Sequence, residues 1–309
     1  MSGAHRARPG LLEVLLVWAA FGAVALAVLV TYARLPVEQL YNVDEEGLAR
    51  GAGRALVFVG YPTSLAAIAL LALVAARLRT RAADLVALAA AVLCATVVWP
   101  GVVEQADLDA KPVNALAGIG VLAALVLTGL ALARGGVGET PPFGRWDAAR
   151  LVLGVLLVLA AIPWIAADLG FGLGGVPVLG DVFLSGEPRP EPGHPELTAV
   201  HLGHHHGLDG TLLALAALGL SRAVGQMGRL RGATALYLAL MLAYGLANAV
   251  QDFWLEQLVK RGATSVEIPS LIVPKASPAW AALVAAALLI HFAARRVGPV
   301  TGPPAKGAA

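Results

Sequence analysis

Apolar stretches close to the bilayer-spanning length of about 20 residues recur at positions 11–32, 56–76, 83–103, 112–133, 149–169, 202–220, 233–254 and 279–294. A chain built this way is an all-α, polytopic integral membrane bundle of eight transmembrane helices, because a continuous helix satisfies its own backbone hydrogen bonds within hydrocarbon. Composition agrees: 58% of the 309 residues are hydrophobic and 14% charged, with a mean hydropathy of +0.77. That is more apolar than a soluble domain of this length can bury. The first stretch follows a basic flank (His5, Arg6, Arg8). It is longer than a signal-peptide core, so it reads as a retained first helix.

Residues 1–309 form a single multi-pass domain by this reading. The longest hydrophilic stretch, 170–200, is a Gly/Pro-rich extracytoplasmic loop containing the stiff run Glu187-Pro188-Arg189-Pro190-Glu191-Pro192, and 298–309 is a short flexible cytoplasmic tail. The single cysteine, Cys94, lies inside the third stretch and leaves no thiolate cluster to consider.

Charge sets the expected orientation. The termini and the even connections hold 14 basic and 4 acidic residues, while the other side holds 8 basic and 16 acidic. Arginine clusters such as Arg77/Arg79/Arg81 and Arg222/Arg229/Arg231 sit beside helix ends. The positive-inside rule therefore predicts cytoplasmic N- and C-termini in a cell membrane. The expected partners are membrane lipids, and the basic face needs no nucleic acid to explain it.

Against this apolar background one segment stands out, His201-Leu202-Gly203-His204-His205-His206-Gly207-Leu208-Asp209-Gly210. Helical propensity runs unbroken from Pro195 to Arg222. Counting about 20 residues outward from Arg222 places the segment in the outer leaflet, where ionisable groups are costly and usually functional. At helical spacing His201, His205 and Asp209 form one stripe, with His204 beside it and His206 turned away.

Imidazoles one turn apart can ligate a single transition-metal ion, and a carboxylate a turn further can complete the site. The seventh stretch offers a matching stripe, Asn248, Asp252 and Glu256, and further acidic groups (Glu104, Asp107, Asp168) fall on the same side. The candidate metal ligands are thus His201, His204, His205 and Asp209, with Asp252 or Glu256 as shell residue or general base. The cofactor expected is one divalent transition metal: zinc, iron, copper or manganese.

The run from His201 to His205 matches the HxxHH box that membrane fatty-acid desaturases and hydroxylases use for di-iron. Those enzymes need several such boxes, and this chain has one, on the outer side. Asp44-Glu45-Glu46 in the first outer loop resembles the acidic first loop of multi-pass polyprenyl-phosphate-dependent glycosyltransferases, over these few residues only. Neither resemblance extends far enough to assign a family. Bis-histidine haem ligation is disfavoured because His291 falls near the opposite membrane face.

The leading functional expectation is a metal-dependent membrane enzyme acting on a lipid-linked or hydrophobic substrate. The alternatives are a small transporter or channel with a His/acidic outer vestibule, and a non-catalytic assembly subunit. Apart from Asp209 the helix centres are almost purely Ala, Leu, Val and Gly, which counts against a charge-lined transport path.

Overall fold

The computed structural model describes residues 10–36, 52–99, 101–103, 111–171, 176–177 and 205–296. These residues form eight α-helices and no strand. They are α1 (Leu12–Arg34), α2 (Ala52–Leu78), α3 (Arg81–Ala95), α4 (Asn114–Gly135), α5 (Arg145–Asp168), α6 (His206–Leu220), α7 (Arg231–Trp254) and α8 (Pro278–Arg296). Each apolar stretch in the sequence has become one helix. Pro62 and Pro163 lie inside α2 and α5. Each removes one intrahelical donor without ending its helix, as bilayer-embedded helices tolerate.

Seven of the helices are long and apolar enough to cross a membrane. The exception is α6, with 15 residues. At 1.5 Å per residue it measures about 22 Å, short of the roughly 30 Å hydrocarbon core. The long helix expected from Pro195 to Arg222 is therefore not what forms: the described part begins at His206, with His205 in extended conformation ahead of it.

Helix α2 occupies the centre. Leu70, Leu71, Leu73 and Val74 are buried, and the helix packs on α1, α3, α4 and α6. Polar staples tie the bundle where apolar packing alone gives little specificity in lipid. Trp18 Nε1 donates to Thr128 Oγ1 at 3.2 Å, joining α1 to α4, and Tyr237 Oη donates to the Leu65 carbonyl at 2.7 Å, joining α7 to α2. Tyr61 and Tyr244 share a 2.7 Å hydroxyl contact, and both reach the carbonyl of Ile272, which pins the segment between α7 and α8 into the bundle.

Helices α6 and α7 form the tightest pair. A Cβ on Gly210 would lie 2.8 Å from Ala249 N, and one on Gly245 would lie 2.8 Å from Ala214 N. The two backbones thus touch where neither residue has a side chain. This crossing fixes the start of α6 against the end of α7 and so positions the polar groups there.

The two ends of this assembly differ in chemistry. At one end Arg222 bridges Glu13 and Asp147, each at 3.3 Å, and Arg150 pairs with Asp147 at 2.7 Å. At the other end of α5, α6 and α7 stand Asp168, His205, Asp252 and Glu256, all buried.

Candidate metal centre

The end of α7 changes helical type. Beyond Trp254 the chain makes a π-helical turn, Leu255–Val259, closed by a 2.8 Å bond from Lys260 N to the Leu255 carbonyl. Such a turn accommodates an extra residue and re-aims the side chains on it, and it recurs at functional sites. Here it carries Glu256 inward, one turn beyond Asp252; the two residues are 3% and 7% exposed.

His205 approaches them from the start of α6. Its ring nitrogen Nδ1 lies 2.7 Å from Glu256 Oε1, and both side chains are buried. The other carboxylate oxygen, Oε2, accepts a hydrogen bond from Trp164 Nε1 on α5 at 3.2 Å. Asp252 Oδ2 accepts from the backbone N–H of Gly207 at 2.7 Å. It thereby caps one of the amides that a helix N-terminus leaves unsatisfied, where a carboxylate is favoured.

Gly207 is needed for this contact. A Cβ there would stand 2.7 Å from the same Asp252 oxygen and press into the Trp164 indole.

One potential ligand atom from each of His205, Asp252 and Glu256 falls within 4.8 Å of the other two. Metal bonds to imidazole nitrogen or carboxylate oxygen are about 2.0–2.2 Å, so modest side-chain rotations would bring all three onto one ion. The electrostatics point the same way. Glu256, Asp252 and Asp168 all act on His205, and Lys260 acts on Asp252 together with that imidazole. Carboxylates buried together are expensive unless cationic charge offsets their lost hydration.

The residues singled out in the sequence are distributed as follows. His205, Asp252 and Glu256 come together. Asp209 does not join them: it is buried on α6, and His206 Nδ1 lies 3.9 Å from its Oδ2. The stripe of His205 and Asp209 on one helix face is not formed, because His205 precedes the helix and turns toward α7. His201 and His204 lie outside the described residues, as do Glu104 and Asp107.

Two contributors were not visible as such in the sequence. Trp164, beside Pro163, is 3% exposed and donates to Glu256. Asp168 reads only as one more outer acidic group, whereas it is buried within electrostatic range of His205. The four-residue spacing of Trp164 and Asp168, which puts both on one face at the end of α5, was the available signal.

Comparison with known protein families, with curated proteins and with solved structures gave no match for this chain.

Proposed function

We propose that His205, Asp252 and Glu256 bind one divalent transition-metal ion at the extracytoplasmic end of the bundle, and that the protein is a metal-dependent membrane enzyme for a lipid-linked or hydrophobic substrate. The observation that carries this reading is the convergence of three buried ligating groups within 4.8 Å of one another. A donor set of one imidazole and two carboxylates suits zinc, iron or manganese, with copper as a further candidate. Three protein ligands leave coordination positions for water or substrate, and a bound divalent ion acidifies water or polarises a substrate oxygen there. The extracytoplasmic assignment rests on the charge asymmetry of the connections, which leaves the acidic side outside.

The test is metal content after chelation and reconstitution. The wild-type protein should retain one equivalent at neutral pH. A proton competes with the ion for imidazole and carboxylates alike, so occupancy should fall as pH is lowered. The alanine variants of His201 and His204 belong in the same series: if those histidines also ligate, each loses metal as a His205 variant does.

The 2.7 Å contact between His205 and Glu256 also suits a shared proton, as in an outer vestibule of a proton-coupled transporter. Wild-type protein that takes up no metal at any pH, yet acidifies proteoliposomes, would replace the metal reading with that one.

A further inference from the structure

A second site lies at the opposite end of the bundle, away from the His205 cluster. A groove of about 590 Å³ runs between α1 and α5 with α6 as its floor, within the volume range of ligand pockets. Its walls are hydrocarbon: Leu16 and Phe21 on α1, Val155 and Val158 on α5, Leu212 and Leu215 on α6. Small residues make the space, notably Gly154 on α5, where a Cβ would reach only ordinary contact with Leu215 at 3.5 Å. Leu16 is 60% exposed and Val155 50%, so the groove opens sideways, toward the surroundings of a membrane-spanning bundle. An occupant entering that way is itself a component of the bilayer.

Length and charge identify which component. Along α5 the groove extends from Asp147 to Leu159, about 18 Å at 1.5 Å per residue. One leaflet contributes roughly 15 Å, half of the hydrocarbon core of about 30 Å, so the groove is one leaflet deep.

It closes at a single end on Glu13, Asp147, Arg150 and Arg222. The two carboxylates are buried, with side chains 3% and 7% exposed, while the side chains of Arg222 and Arg150 are 23% and 31% exposed. The acids lie behind the arginines, and guanidinium is the charged surface at the mouth. Phe143, 70% exposed, flanks it, as aromatic residues do at the level of lipid headgroups.

We propose that this groove holds one acyl chain of an anionic phospholipid from the leaflet on the arginine side, with the headgroup phosphate set against Arg150 and Arg222. The occupant is a single bound lipid, distinct from the general lipid contact along the outer helix faces. Arg150 already donates to Ser221 and Asp147 and Arg222 to the Pro141 carbonyl, but each guanidinium carries five N–H donors, so both charge and further donors remain for a phosphate.

The experiment is native mass spectrometry of the full chain released from detergent after incubation with phosphatidylglycerol or with phosphatidylcholine. The wild type should carry one phosphatidylglycerol and prefer it to phosphatidylcholine by about fivefold for each arginine engaged. Arg150→Gln should reduce that preference by about fivefold. Gly154→Leu fills the groove and should cut lipid occupancy at least tenfold, on the order expected for overpacking a filled site. Val158→Trp obstructs the same space from a position 43% exposed, so it keeps the test valid if the glycine variant does not fold. Equal binding of the two lipids by the wild type, or unchanged phosphatidylglycerol occupancy in a folded groove-filling variant, overturns the proposal.

Discussion

Replacing His205 by alanine is expected to lower the affinity for a divalent transition metal by at least about a hundredfold, the upper end of what loss of a mere supporting contact costs at metal sites. The imidazole is the only nitrogen ligand among the three converging groups, and its removal leaves Glu256 and Asp252 with each other's charge and no neutral donor between them. Asp252→Asn should have a comparable effect for a different reason. Its amide oxygen can still accept the Gly207 N–H that Asp252 Oδ2 now accepts at 2.7 Å, so the start of α6 is preserved while the ligating charge is lost. His206→Ala is the control: the His206 side chain is 39% exposed and faces Asp209, so metal affinity should stay within a fewfold of wild type. Competition against a chromophoric chelator measures all three. Equal losses in the His205 and His206 variants would mean that the histidines act through general charge and not as defined ligands.

Gly245→Leu should cost the protein its bundle. The Cβ position at Gly245 is closed by backbone of α6, with Ala214 N at 2.8 Å, and Gly210 is closed reciprocally by Ala249 N. Backbone cannot rotate out of the way as a side-chain tip can, so the helices must separate. Overpacking of this kind costs about 3 kcal/mol or more, a large share of a stability of roughly 5–15 kcal/mol. The expected readout is a loss of the monodisperse species in detergent, or a thermal midpoint lowered by many degrees. Gly232→Leu, where nothing lies within 4 Å of the added Cβ, should behave like the wild type. Because the α6/α7 crossing also brings Gly207 to Asp252, any Gly245 variant that does fold should bind metal poorly.

The fold was far more legible in the sequence than the candidate site, and the reason is physical. Apolar length is a local property, so each of the eight stretches could be matched to a helix from its own residues. The start of α6 is not local. The histidine run looks helical from Pro195 onward, but the observed start is set by a carboxylate 45 residues later in the chain, Asp252, which accepts the Gly207 amide.

The same logic separates Asp252 and Glu256 from their partners. Their four-residue spacing was readable, whereas the π-helical turn that carries Glu256 toward His205 was not. Trp164 was no more legible. A tryptophan beside a proline near a helix end has an ordinary interfacial explanation, and only the folded bundle shows its indole N–H directed at Glu256. Asp209, the one acidic residue adjoining the histidine run, drew attention by sequence proximity, yet it does not converge with the other three.

The measurement that bears most directly on the metal reading is an anomalous difference map at the zinc absorption edge, from protein reconstituted with zinc at neutral pH. The account predicts one strong peak bounded by His205, Asp252 and Glu256, about 2.0–2.2 Å from a ligand atom of each, and loss of that peak from crystals of the His205→Ala variant. A peak elsewhere in the bundle, or a fully reconstituted wild type with no peak among these three side chains, would contradict it.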